Sequence, residues 1–308
     1  FEFYALCLIL LSAFGNVCVF YSFYHYLGTI GIPVVWRGFL VGLEPMAAFV
    51  LRLFVLPWLH LRNAYSVLVA SLVLLILASC SYPWVTTVPP MIVLRIVHGT
   101  AFVLLTSALI ALVVNFIPKD LSGRGFSTVS IATMIPYAVI PPLAEAILPC
   151  VRNEADIYAG VSIFSVAALA LLAAMGKRVG KAIRGMDSVL LRRPTLAEIR
   201  ENLRLRAVVV LLSASLLVYL AHAAVFYFLK DLTLKTRGGD VGLFFMFSML
   251  TMIAVRALGT ALFDKMDKPI AFRAGLGLLL PCLIAIPHAG SPAAYYLLAL
   301  LYGFCMGI

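Results

Sequence analysis

Charge is what this sequence has least of. Asp, Glu, Lys and Arg make up 12% of its 308 residues, against about 25% in a soluble domain. So few charges cannot coat a water-exposed surface. A soluble enzyme and a nucleic-acid-binding module are therefore excluded, in spite of a net charge of +10. Catalytic signatures are missing too. No G-x-x-x-x-G-K-(S/T) loop occurs, which argues against direct ATP drive. No H-x-x-x-x-D, G-x-S-x-G or H-E-x-x-H pattern supports an integral membrane enzyme such as a lipid acyltransferase, and no selectivity-filter repeat points to a channel. None of the six cysteines has C-x-x-C spacing. Cys7, Cys18, Cys80, Cys282 and Cys305 lie in apolar runs and Cys150 ends one, so they read as small buried hydrophobes rather than metal ligands or a disulfide framework.

What is present is apolar sequence, 64% of the chain. A hydrocarbon core of about 30 Å needs about 20 apolar residues per helix. Ten runs qualify: 3–27, 38–59, 64–82, 91–116, 126–148, 157–175, 207–229, 241–263, 270–287 and 294 onward. They are continuous, without the alternation of a membrane β-barrel, so the expected fold is an all-α polytopic membrane protein. Phe1 and Ile308 both sit inside apolar runs and read as cut ends. The first run is too long for a cleavable signal peptide and lacks its small-residue cleavage site.

The basic residues give an orientation, because Lys and Arg concentrate in cytoplasmic connections. With the N-terminus cytoplasmic, the inner connections carry fifteen of the 23 Lys and Arg, the outer ones five, and the spans three: Arg52, Arg95 and Arg256. Nine of the fifteen fall in segment 176–206, which separates an expected six-helix bundle (1–175) from an incomplete second bundle (207–308). Within it Thr195 and Glu198 form a capping pattern, so a short amphipathic helix under the membrane is expected. A solvated topogenic linker that touches anionic lipid accounts for the same charges.

The two bundles carry traces of a repeat. A shift of 204 residues places Arg52 on Arg256, His60 on Asp264 and Gly99 on Gly303; a shift of 201 places Leu10, Leu11, Ser12 and Ala13 on Leu211, Leu212, Ser213 and Ala214. Duplicated halves are common in transporters. The repeat matches span 10 to span 4, so two further spans are expected in the intact protein.

Six spans, a basic linker and a second set resemble the layout of the major facilitator superfamily. Gly259 to Lys268 is similar to that family's G-x-x-x-x-D-(R/K)-x-(G/D)-(R/K) loop, here between spans 8 and 9. The resemblance implies that Asp264 locks the inner gate. The equivalent loop between spans 2 and 3 has Leu56, Pro57 and His60 in place of the motif residues. Arg95 to Ala101 resembles the R-x-x-(Q)-G-x-(G/A) motif of proton-coupled exporters, with His98 replacing Gln; Ile117 to Gly125 resembles the turn after span 4. The exporter pattern of span 5 is incomplete. Pro136, Pro141 and Pro142 are there, but Ile140 and Ala144 stand where glycines belong.

Ionisable groups within a bilayer are costly and usually face a cavity. Arg95 and His98 share a helix face, which is expected to line that cavity. Arg95 is a candidate anion partner, or one half of a structural ion pair; His98 is a candidate proton acceptor, or a satisfied structural histidine. Glu44 and Glu145 are candidate proton acceptors or rim carboxylates. Arg52 and Arg256 are matched candidates for the inner gate, or snorkelling cations. By the resemblance, spans 1, 4, 7 and 10 line the centre, which adds Asn16, Tyr21, Tyr24, Tyr219, His222 and Tyr302. Gly15, Gly99 and Gly303 are expected at close helix contacts. Pro141 and Pro142 are gate-bend candidates, or static kinks.

The expected function is secondary active transport of a small organic molecule by alternating access, as proton-coupled efflux. Proton-coupled uptake of a sugar or organic anion is the alternative, with a membrane enzyme or channel behind it. No metal and no cofactor beyond a proton gradient are expected. The expected partners are the substrate and the lipid bilayer, not nucleic acid, for a monomer in the plasma membrane, the inner membrane of a bacterium.

Overall fold

The computed structural model describes residues 2–55, 59, 61–117, 122–184, 200–201, 203–236, 238–258 and 268–308. Among them no strand occurs, and nine helices are long and apolar enough to cross a membrane. They are Glu2–Thr29, Val34–Arg52, Asn63–Trp84, Val88–Val114, Gly125–Cys150, Glu154–Gly176, Arg206–Thr236, Val241–Leu258 and Ile270–His288. A shorter apolar helix, Pro292–Gly307, follows. These ten are spans 1 to 10. The expected capping pattern at Thr195 and Glu198, and Asp264 with most of its loop, lie outside the described residues.

Local chemistry sets the boundaries. Span 1 closes on a Gly-based cap: the Ile32 N–H donates to the Leu27 carbonyl at 2.9 Å and the Gly31 N–H to the Gly28 carbonyl at 3.1 Å. Gly31 has φ of 81°, the left-handed conformation that this cap requires and that glycine adopts without a Cβ clash. Pro33 follows and prevents continuation. Span 6 opens with the Asn153 side chain accepting from the Ala155 N–H at 3.0 Å, and span 10 with Ser291 accepting from Ala294 at 3.3 Å.

The connections 1–2, 3–4, 5–6, 7–8 and 9–10 gather at one end of the bundle, termed here the hairpin end. The other connections gather at the linker end. In the first half, span 4 packs on spans 2 and 3, and spans 1 and 6 pack together and on their neighbours. In the second half, span 10 packs on spans 8 and 9. The halves meet along spans 5 and 8, and again where the hairpin-end part of span 1 touches span 7. Outward faces carry exposed apolar side chains, such as Leu77, Leu216 and Leu280. Such side chains suit a lipid solvent, as helices that satisfy their own backbone groups do.

Two glycines carry the repeat into three dimensions. A Cβ at Gly99 would run into the Glu44 carbonyl of span 2; one at Gly303 would run into the Ser248 carbonyl of span 8. Both partners and both glycines are separated by the same 204 positions. Gly15 differs from the sequence expectation, because a Cβ there would meet Phe164 at an ordinary 3.7 Å.

Candidate substrate cavity and its closed end

A cavity of about 510 Å³ lies between the halves. Its size falls within the usual range for small-molecule sites. The first half contributes Phe14 of span 1 and Thr133, Met134 and Tyr137 of span 5; the rest comes from spans 7 to 10. Tyr219 and His222 stand on the span 7 wall, and Met249, Met252 and Arg256 on span 8. Behind the wall, His222 Nδ1 and the Tyr302 hydroxyl are 2.6 Å apart, with their rings stacked. The Arg256 Nη1 donates to Ser130 Oγ at 2.6 Å and so ties span 8 to span 5 at the linker side.

Toward the hairpin end the same two halves are joined by charge. The Lys230 ammonium of span 7 donates to Glu145 of span 5 at 2.8 Å and lies 3.6 Å from Glu154 of span 6. The Tyr21 hydroxyl of span 1 donates to the same Glu145 oxygen at 2.6 Å. His25, one turn further along span 1, places Nδ1 at 2.8 Å from Asp231 and Nε2 at 4.0 Å from Glu154. Lys230 and Glu154 are buried, so their attraction is poorly screened by solvent. On span 7 this latch starts eight residues beyond His222, a rise of about 12 Å along the helix. The linking groups therefore seal the cavity on one side and leave its other side toward the linker end.

At Gly242 the backbone of span 8 comes close to span 5. A Cβ on Gly242 would lie 2.6 Å from Pro142 Cα and 2.9 Å from the Pro141 carbonyl oxygen. The two prolines deprive the Tyr137 and Ala138 carbonyls of their helical donors. Pro141 and Pro142 thus lie where the backbones of the two halves meet.

The Arg95 cluster lies elsewhere. Arg95 is fully buried. Its guanidinium donates to the Leu40 and Val41 carbonyls at 3.1 Å each, to Glu44 at 3.2 Å and to the Tyr82 hydroxyl at 3.3 Å. Its face rests on Phe23, 4.4 Å from the ring centre. Tyr82 also meets His98 Nδ1 at 3.2 Å. Neither Arg95, His98 nor Glu44 forms part of the cavity wall. The expectation that the Arg95–His98 face lines the cavity thus gives way to a buried joint of spans 1 to 4, which Tyr227 of span 7 joins through a hydrogen bond with Arg95. Gly99 enables that joint by letting span 2 approach. Asn16 is buried as well, donating to the Ser12 carbonyl and to Ser165 of span 6 at 2.8 Å each. Tyr24 packs edge-on against Phe228 of span 7. Arg52 is exposed near the end of span 2.

His25, Glu154, Lys230 and Asp231 were not singled out by the sequence. Span 7 runs to Thr236 rather than 229, which turns Lys230 and Asp231 from loop residues into helix residues. The available signal was His25 at four residues from Tyr21, on one helix face with it.

A profile of the Major Facilitator Superfamily matches residues 5–308. No curated protein matches the chain. Among solved structures, a variant of the peptide transporter POT in complex with sulfate superposes with a TM-score of 0.67 at 11% identity, covering 99% of this chain and 79% of that one. The xylose transporter XylE from E. coli, in a partially occluded inward-open conformation, gives 0.66 at 15% identity, covering 98% and 80%. These likenesses show the fold, an all-α bundle of the major facilitator type; the family match and the apolar helices make the chain a multi-pass membrane transporter rather than an enzyme. The chain belongs to the Major Facilitator Superfamily.

Proposed function

We propose that this transporter exports a small organic molecule in exchange for protons, by alternating access. One observation carries the reading: a buried charged latch closes the two halves at the hairpin end while the cavity lies on the linker side of it. The excess of Lys and Arg at the linker end supports a cytoplasmic linker and N-terminus. In that orientation the shape is inward-facing. The same reading places the protein in the plasma membrane, the inner one in a bacterium, as a monomer without a cofactor.

The latch supplies a means of proton coupling. It holds three carboxylates, Glu145, Glu154 and Asp231, against one ammonium, Lys230. A proton on His25 places a second cation between Glu154 and Asp231. That cation draws span 1 onto span 7 and favours closure toward the outside. The His25 side chain keeps 27% exposure, which lets a proton arrive. Substrate biases the balance the other way by preferring the outward-open cavity during release.

Inside-out vesicles test the direction. An acidic lumen drives protons out, and export by exchange then accumulates substrate in the lumen. A protonophore abolishes the accumulation, and His25→Gln uncouples it from the pH gradient. Substrate that moves in the same direction as the protons overturns export. That outcome belongs to uptake by symport, which Ile140 and Ala144 favour: both are buried where the exporter pattern has glycines.

A further inference from the structure

We infer that the cavity recognises an amphipathic molecule by a hydrogen-bond acceptor, such as a carbonyl, which accepts from His222 Nε2. The inference rests on the transporter reading and names its substrate class. His222 stands on the span 7 wall, whereas Tyr302 of span 10 lies behind it. Tyr302 is fully buried, and among the described residues its hydroxyl has His222 Nδ1 as its partner, at 2.6 Å. A buried hydroxyl gives its proton to the acceptor it has. Nδ1 therefore accepts, and the ring proton sits on Nε2. Nδ1 is turned to Tyr302, away from the cavity, which leaves Nε2 on the cavity side. That N–H has no partner among the described residues, and it is not enclosed by protein.

The tautomer makes the selection. A neutral imidazole can offer either a donor or an acceptor, and Tyr302 settles it as a donor toward the cavity. The hydroxyls of Ser215 and Tyr219 on the same wall rotate and can donate or accept, so they do not discriminate. A molecule with a donor at this place would set N–H against N–H. Both groups would then lack a partner in a poorly solvated site, which costs more than a contact never made. The remaining wall suits an apolar body. Met134, Met249 and Met252 bring flexible, polarizable thioethers, flanked by the rings of Phe14 and Phe272. Thioether walls adapt to different shapes, so the acceptor is selected strictly and the apolar body loosely. Tyr302 acts through His222, as a positioning residue.

Three uncharged tricyclic probes that differ at one ring position test this: 9-fluorenone with a carbonyl, carbazole with an N–H, and fluorene with a methylene. Equilibrium dialysis of the purified full-length protein, read against protein-free micelles at a pH above the ordinary imidazole pKa, measures binding with no gradient. 9-Fluorenone is expected to bind at least about threefold more tightly than fluorene, as one neutral hydrogen bond provides, and carbazole no more tightly than fluorene. His222→Phe should bring 9-fluorenone to the affinity of fluorene. Tyr302→Phe frees Nδ1 and admits the other tautomer, so the preference for 9-fluorenone should fall and carbazole should gain on fluorene. A role confined to packing would not raise carbazole. Fluorene should bind both variants as before, which also shows that they are folded. 9-Fluorenone no tighter than fluorene, carbazole as tight as 9-fluorenone in the unaltered protein, an unchanged order in Tyr302→Phe, or binding of none of the three overturns the inference. Proteoliposomes with an acidic lumen and an enclosed pH-sensitive dye read transport separately, because a substrate exchanged for protons speeds the loss of the gradient. Ranked binding without that effect of 9-fluorenone overturns the transport reading and leaves the recognition standing.

Discussion

The junction of spans 2 and 4 and the junction of spans 8 and 10 are built on one backbone plan with opposite contents. Gly99 lies on the Glu44 carbonyl as Gly303 lies on the Ser248 carbonyl. Around the first glycine stand Arg95, Glu44, Tyr82 and His98 in a sealed polar network. At the repeat-related position of Arg95 the second half has Ala299, fully buried among apolar residues. His98 corresponds to Tyr302, and at the shift found for the first spans Tyr21 corresponds to His222. The second half has therefore moved its histidine–tyrosine pair to the edge of the cavity. The first half spends its polar groups on internal rigidity and on the latch, whereas the second supplies most of the cavity wall. Duplication fixed the helix approach; divergence divided the tasks.

The most damaging way to break this comparison is to empty the first junction of one charge. Arg95→Ala leaves Glu44 buried without its cation, at a cost of about 3–5 kcal/mol. Thermal unfolding in detergent should show a large fall or loss of the folded protein. Copying the contents of the second half, with Arg95→Ala and Glu44→Ser together, removes the stranded carboxylate and should recover much of the loss. A double variant no better than the single one refutes an exchangeable junction.

The latch is the next largest lever, because it ties these unequal halves at the hairpin end through charge. Lys230→Met strands Glu145 and Glu154 against each other and removes charged hydrogen bonds worth about 1.5–3 kcal/mol. That is a shift of about tenfold or more toward the hairpin-open state. Cys305 on the cavity wall reports it. A membrane-impermeant maleimide applied from outside should label Cys305 several times faster in the variant, with exposed Cys150 at the hairpin end as the reference. Unchanged labelling would show that the latch does not hold the halves. Failure of Cys150 to label from outside would reverse the orientation.

The spans were legible in the sequence because bilayer thickness leaves few ways to arrange ten apolar runs. The repeat was legible at Gly99 and Gly303, where only glycine permits the approach. The role of Arg95 was not. Its motif marks a buried cation, but whether that cation meets a ligand or the Leu40 and Val41 carbonyls depends on how far span 2 approaches. The latch was hidden for another reason. Lys230 and Asp231 follow an apolar run, and a hydropathy boundary cannot tell a helix that continues past the hydrocarbon from one that ends there. Met134, Met249 and Met252 are indistinguishable from ordinary core residues until spans 5 and 8 face each other.

Glycine substitution measures the shared plan rather than the differing contents. Gly99→Ala and Gly303→Ala each push a methyl group into a backbone carbonyl, which cannot rotate away, at about 1–3 kcal/mol. The two losses should be similar in thermal unfolding, and Gly15→Ala should change little. A large asymmetry between Gly99 and Gly303 would show that one junction is looser than its partner.

The smallest effect is the most discriminating. Tyr82→Phe and Tyr302→Phe each remove a hydroxyl from a histidine, at 3.2 Å in the first half and 2.6 Å in the second. Contact length alone predicts the larger loss at Tyr302. Surroundings predict the reverse. Tyr82, His98 and Arg95 are all fully buried, so Tyr82→Phe strips His98 Nδ1 of its partner and Arg95 of one of its contacts, at about 1–3 kcal/mol. His222 borders the cavity, where water can replace the lost hydroxyl, so Tyr302→Phe should cost at most about 0.5–1 kcal/mol. Unfolding temperatures of the two variants, measured side by side, decide between them. Equal losses would mean that the second pair is as sealed as the first, and that His222 takes no part in the cavity.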